Sequence, residues 1–289
     1  MKKALLILCF AYIATASGIA STDVYGTAQR KAPVEGQSVR RVDFYEFLCP
    51  QKKPVMSDEE ISKLNTKKCG FGQGLRLDEK NRPYCSLDFN NEFGKYDAFA
   101  IEEDDDTIYL TFDQGYENGY TTLILDTLKQ KNIKATFFVL DDYVKRNPEL
   151  VGRMIEEGHT VGNHSVHHYS MPTLDINMAK KEINELHDYI LEEYGYEMTL
   201  FRPPMGEFSE QTLAVTQSCS YKTVMWSYAY ADWDPNKQLS YDKALEKVSN
   251  AAHPGCIYLL HSVSKTNCEI LPEFIDIMIE KGYTFSIPE

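Results

Sequence analysis

From Thr107 onward, short apolar segments rich in β-branched and aromatic residues alternate with longer amphipathic ones. The segments TIYLTF, KATFFV, HTVGNH, TLFRPP, YKTVMWS, CIYLLH and YTFSI read as strands. Helices are expected near 119–131, 148–157, 174–194, 209–218, 241–252 and 268–281. Strands this short and nearly continuous in apolar character suit a parallel sheet buried on both faces, with the helices packed outside. The fold class is therefore α/β. Periodicity alone leaves open whether about seven parallel strands close into a barrel or stay as an open doubly wound sheet. In a barrel the C-terminal ends of the strands gather on one face, where residues distant in sequence meet around one substrate.

Residues 21–98 lack such periodicity and are punctuated by CPQKKP, CGFGQG and NRPYC, which read as turns. One short helix is expected at SDEEISKLN, with Ser57 as N-cap and Glu60 closing a capping box. This stretch reads as an N-terminal extension to a main domain over 99–289. Ahead of it, MKKALLILCFAYIATASGIAS has the basic start, apolar run and small residues of a secretory signal peptide over 1–20, with cleavage after Ala16 or Ala20. An uncleaved anchor is the alternative; the apolar core is short for a bilayer span, and no later segment is long enough. The mature protein is expected to be secreted or associated with the cell wall, with no stable membrane span.

Loss of Cys9 with the leader would leave six cysteines, an even number that permits disulfides in an exported protein, in any of fifteen full pairings. Cys49, Cys69 and Cys85 precede the repeat, and Cys219, Cys256 and Cys268 lie within it, so complete pairing needs at least one bridge between the regions. No C-x-x-C spacing suggests a thiolate metal site. The formal charge of −13 argues against nucleic acid as a partner.

Chemistry-bearing residues sit where the strands end. His164 and His168, in NHSVHH, are four apart, close enough for two imidazoles to share one divalent ion; His167 has the wrong spacing to join them. Asp113 ends the first strand in TFDQG, with Gly115 permitting a sharp turn, and could act as general base. Arg202, in FRPP, could hold that carboxylate ionised, although a structural Asp–Arg pair would account for the same two residues. His261 ends the very apolar CIYLLH, and Asp232, in ADW, could keep its imidazole protonated as a general acid; a core histidine is the bland alternative. Together these groups suit hydrolysis of an uncharged acyl bond by metal-activated water. No G-x-S-x-G elbow is present. His159 and His253 read as structural histidines in turns. Glu117 and Asn118 could touch substrate or simply start a helix, and the acidic run 102–106 reads as solvated lead-in.

In order, TFDQG, NHSVHH, RPP, ADW and LLHS resemble the five motifs of the polysaccharide deacetylases, carbohydrate esterase family 4. The wider stretches TFDQGYENGYT, RPPMGEFSE and AHPGCIYLLHSVS are similar to its delta-lactam-biosynthetic branch, the de-N-acetylases that act on muramic acid in peptidoglycan. The resemblance spans roughly residues 72–289. It implies a distorted (β/α) barrel, a divalent metal, usually Zn²⁺, and release of acetate from an N-acetylated glycan. It makes Asp113 the base, His164 and His168 metal ligands, Arg202 the partner of Asp113, and Asp232 with His261 the acid pair. Trp233 and Leu259 would wall a pocket for the acetyl methyl group, with Pro204 and Gly115 also toward substrate. One departure stands out. Most of the family has a second aspartate as third metal ligand where this chain has Gln114, whose neutral amide oxygen offers a weaker bond. Peptidoglycan is the first expectation for substrate. Chitin-like chains or acetyl-xylan are alternatives, as is a glycan-binding protein of weak activity.

Overall fold

The structure, a computed structural model, describes residues 56–102 and 105–288. The leader, Cys9, Cys49 and part of the acidic run lie outside them. Among the described residues there are eleven strands: β1 (Cys69–Gly70), β2 (Ala98–Phe99), β3 (Thr107–Gln114), β4 (Thr136–Val139), β5 (Thr160–Asn163), β6 (Leu200–Phe201), β7 (Glu207–Phe208), β8 (Lys222–Val224), β9 (Tyr228–Ala229), β10 (Cys256–His261) and β11 (Thr284–Ser286). The α-helices are α1 (Asp58–Ile61), α2 (Tyr84–Phe93), α3 (Thr121–Lys131), α4 (Asp141–Arg146), α5 (Pro148–Glu156), α6 (Ile176–Tyr194), α7 (Glu210–Ser218), α8 (Tyr241–Asn250) and α9 (Lys265–Glu280).

Nine of the strands form one sheet in the order β2-β8-β6-β5-β4-β3-β10-β9, with β11 added on β3, and every pairing within it is parallel. β8 and β9, near opposite ends of that order, are consecutive pieces of one chain segment. Met225 N–H still donates to Phe99 on the β2 side, whereas Ser227 N–H donates to Ile257 on β10. The sheet thus curls round and closes through the chain itself, giving a distorted barrel. Of the expected fifth strand, YKTVMWS, only Lys222–Val224 form β8; its end crosses the seam and β9 follows it. On the other side, β10 runs along one edge of β3, so β4, beside Thr111–Gln114, and β11, beside Thr107–Tyr109 at the strand's start, divide the opposite edge.

Alternation along the strands separates two apolar layers. Tyr109, Phe138, Leu200, Val224 and Ile257 meet inside the barrel. Ile108, Leu110, Phe112, Phe137, Val139, Tyr258 and Leu260 point outward and join the helices in the larger core. Gly162 lies beside Phe138 in register, and a Cβ there would come within 2.5 Å of that ring. Gly162→Ala should therefore destabilise the protein by about 2 kcal/mol through overpacking, measured as a lower midpoint in urea.

Local signals set the helix ends. The Ser57–Glu60 capping box forms on α1 as expected. Asp175 caps α6 by accepting from Met178 N–H, and Gly195 ends it at φ +63°. α9 begins at Lys265, three residues before the expected start, because Ser264 accepts the N–H of Asn267 as its N-cap. α2 and α4 were not expected. α2 follows Pro83 with no side-chain cap, and its Phe89 packs into the main core together with Ile61 and Tyr96. Residues 56–98 therefore share the apolar core of the barrel region. Among the described residues Cys69, Cys85, Cys219, Cys256 and Cys268 are free thiols, so none of the disulfides the count permits forms between them.

Candidate active site

Parallel register brings the strand ends level. Asp113 lies beside Phe138 on β4 and His261 on β10, and Asn163 lies beside Phe201. One residue further along their strands come His164 and Arg202. A cavity of about 710 Å³ opens here, lined by Asp113, His164, His168, Trp233, Leu259 and His261 among others. The expected constellation, spread over some 150 residues of chain, is thereby assembled on one face.

Arg202 forms the base of the site. It is completely buried, stands over the Phe138 ring with 4.2 Å to the centroid, and uses every arm of its guanidinium. Nη1 donates to Asp113 Oδ1 at 2.8 Å and to Thr111 Oγ1 at 2.7 Å, while Nε and Nη2 donate to the carbonyls of Val224 and Met225. Burial pushes the Asp113 carboxyl upward, but the neighbouring cationic groups, the buried Arg202 guanidinium foremost, outweigh it and hold the group below its ordinary range. Asp113 is thus an ionised carboxylate with its second oxygen, Oδ2, left toward His164 Nε2 at 3.7 Å.

The His164–His168 turn is held by its own polar side chains. Asn163 Oδ1 accepts from Ser165 N–H, and its amide donates to the Ile183 carbonyl; Ser165 Oγ then accepts from His168 N–H. Ser165 and His168 sit at φ +75° and +58°, a conformation that this network compensates. His164 Nδ1 lies 2.8 Å from the carbonyl of Arg202, which assigns the proton to Nδ1 and leaves the Nε2 lone pair facing Asp113. Burial lowers the pKa of His164 to about 4, and that of His168 also falls for the same leading reason, so both rings are neutral at pH 7. Their centroids are 5.0 Å apart. Two neutral imidazoles beside an ionised carboxylate are donor types suited to a divalent cation, although the three are not drawn together into a ready coordination sphere. His167 turns the other way, onto buried Glu182 at 2.7 Å.

Across the cavity, His261 Nδ1 donates to Asp232 Oδ1 at 2.7 Å, and His261 N–H donates to Oδ2 at 2.8 Å. Burial works against a charge on this ring, yet the hydrogen bond and charge of Asp232, helped by Asp113, raise its pKa above the ordinary value. With Nδ1 engaged, Nε2 is the nitrogen available to the cavity. Leu259, one inward position before His261 and beside Thr111 in register, forms the floor, and Trp233 packs edge-on to His261 with centroids 6.0 Å apart.

Gln114 and Pro204 are placed differently from the rest. Strand alternation carries the Gln114 side chain away from Asp113: it is completely buried, donates to Ser262 Oγ, leaves Oε1 without a partner and does not line the cavity. Among the described residues no group of three His, Cys, Asp or Glu side chains is arranged to hold a metal. Pro204 is buried behind the wall; Met205 and Gly206 face the cavity instead. Gly115 does line it. Glu117 starts α3, accepting from Gly119 N–H and Thr121 Oγ1, and His159 and His253 hold backbone groups in turns.

Sequence reasoning missed Thr111 and Asn267. Thr111 is two residues before Asp113 on a strand, so alternation could have placed it on the same face. Asn267 donates to Asp232 Oδ2 at 2.5 Å and itself accepts from Tyr230; its role depends on where α9 begins, which the pattern placed three residues late.

The polysaccharide deacetylase family model matches residues 100–224. That span holds Asp113, His164, His168 and Arg202, while Asp232 and His261 lie beyond it. A protein of Geobacillus stearothermophilus named only as uncharacterised is 45% identical over 205 residues, covering 70% of this chain and 77% of its own. The peptidoglycan-N-acetylmuramic acid deacetylase PdaA of Bacillus subtilis is 42% identical over 205 residues, with 70% and 78% covered. The solved structure of Bacillus subtilis PdaA, described as a family 4 carbohydrate esterase, superposes with a TM-score of 0.73 at 39% identity, covering 77% of this chain and 95% of that one. Relatives of this identity and coverage, with a barrel whose strand ends carry the five motifs, establish that the chain belongs to the polysaccharide deacetylases, carbohydrate esterase family 4.

Proposed function

We propose that the protein removes the acetyl group from N-acetylmuramic acid residues of peptidoglycan, outside the cytoplasm and with a divalent metal. The observation that carries the chemistry is the opposition, across one cavity, of an ionised carboxylate and a raised-pKa imidazole. The likeness to a muramic acid deacetylase supports the substrate. The leader-like start of the chain supports export, and no helix among the described residues is long and apolar enough to cross a membrane.

His164 and His168 would hold the ion, with Asp113 alongside. When bound, the ion, Zn²⁺ first, supplies Lewis-acid polarisation of the acetamide carbonyl and makes water more acidic. Asp113 takes the proton from the attacking water, kept ionised for this by Arg202. His261 delivers the proton on Nε2 to the departing amine, and Asp232 orients the ring and stabilises its charge. Leu259 and Trp233 enclose the methyl group, and Gly115 leaves the backbone open beside the base.

Gln114 favours a second reading, a protein that grips glycan with little turnover, because the site lacks the charge of the family's second aspartate. One experiment separates the readings: acetate release from purified peptidoglycan, chitooligosaccharides and acetyl-xylan, before chelation, after it, and with Zn²⁺ restored. Release from peptidoglycan that chelation removes and Zn²⁺ restores is the expected result. Glycan retention with no acetate after Zn²⁺ addition would establish the second reading instead. Release from chitooligosaccharides or acetyl-xylan alone would overturn the muramic acid assignment.

A further inference from the structure

A second cavity, of about 670 Å³, lies between the 73–83 segment and α8. It meets the first at Ala229, which lines both. The ridge between them is Gln73, which donates to the Ala229 carbonyl and accepts from the indole N–H of Trp226, a wall of the first cavity. The lining of the second cavity includes α8 from Lys243 to Asn250, seven residues on, so it extends about 10 Å along that helix. It therefore adjoins the reaction site across this ridge and is long enough for a part of the substrate other than the reacting sugar.

Its chemistry is distinct from that of the first cavity. Lys243 and Lys247 stand one turn apart on its α8 wall, both exposed and neither engaged in an ion pair or hydrogen bond with a described residue. Glu246 is the acidic residue beside them. In a chain of net charge −13, two uncommitted ammonium groups on one wall are a local reversal of sign. The opposite wall carries Leu75, 98% exposed, and Leu77, 47% exposed, apolar surface that a bound chain would cover. Nothing about acetamide hydrolysis requires either feature.

We infer that the groove between the 73–83 segment and α8 is a subsite for the flanking part of the glycan strand, where Lys243 and Lys247 pair with carboxylates that the strand carries. The inference rests on the peptidoglycan assignment, since chitin-like chains have no carboxylates. Those carboxylates have two chemical sources, the lactyl ether of muramic acid and the peptide attached to it. Recognition at this distance from the reacting carbon selects the polymer without altering the chemical step, so it acts on KM and leaves kcat unchanged.

The test compares wild type with the double variant Lys243→Gln/Lys247→Gln on peptide-free glycan strands, peptide-bearing strands and neutral chitooligosaccharides. Binding by calorimetry is measured beside acetate release. The expected result is KM and Kd about fivefold higher for the carboxylate-bearing strands, unchanged kcat, and neutral oligomers bound as by wild type. A loss on peptide-free strands assigns the lactyl carboxylate; a loss confined to peptide-bearing strands assigns the peptide. Equal Kd for both proteins on every strand, or an equal loss on neutral oligomers, overturns the subsite. Absence of acetate release by wild type from any peptidoglycan strand overturns the function instead, and the calorimetry still decides the groove.

Discussion

Asp113→Asn is expected to lower kcat by about a thousandfold while the protein still folds, because the amide keeps the shape but cannot take a proton. The substitution has a second, separable effect. Arg202 is completely buried and loses the charge opposite it, although the amide oxygen can still accept from Nη1 and the bonds to Thr111 and the Val224 and Met225 carbonyls remain. An uncompensated buried guanidinium costs about 3 kcal/mol, so the thermal midpoint should fall by several degrees even though the side chain is isosteric. Acetate release and a thermal melt on the same sample read both effects. A variant that keeps more than a tenth of wild-type activity would show that Asp113 is a structural partner of Arg202 and no base.

The other large effect is expected at His261. His261→Ala should lower kcat by about a hundredfold or more, since it removes the imidazole that would deliver a proton to the departing amine. The pH profile gives the sharper test. The protonated ring is the active form and its pKa is raised, so kcat/KM falls as pH rises through a value above 6.5. Asp232→Asn removes the carboxylate that does most to raise this pKa, leaving only the smaller pull of Asp113 against burial, so the alkaline limb should move to lower pH. The same sign governs stability: the contribution of His261 is fully present below the unfolded-state value and is lost as pH rises through the folded-state one. An alkaline limb that stays in place in Asp232→Asn would remove His261 from the acid role.

Much of this site was legible from residue order alone, for a physical reason. In a parallel barrel the strand terminus is the one position per repeat where a polar side chain is tolerated beside an apolar run, so Asp113, His164, Arg202 and His261 stand out as the residues that break it. Their meeting then follows from register. What sequence could not give were contacts set by irregular chain. Gln114 is adjacent to Asp113, yet strand alternation and Ser262 carry its amide elsewhere. The support of Asp232 by Asn267 depends on a helix start fixed by Ser264, and the place of Pro204 in the cavity wall is taken by Met205, at φ +59° in a left-handed turn. The 56–98 region was hardest, because its short elements are ordered by packing onto the barrel and carry little periodicity of their own.

The division of one edge of β3 between β4 and β11 has a bearing on biogenesis. Thr107, at the start of β3, waits for Thr284, 177 positions later, before its flank is covered. A chain still emerging from the ribosome presents that flank bare, so the native state is reached only after synthesis is nearly finished. Under the export proposed above, late closure of this kind keeps the threading state open until delivery.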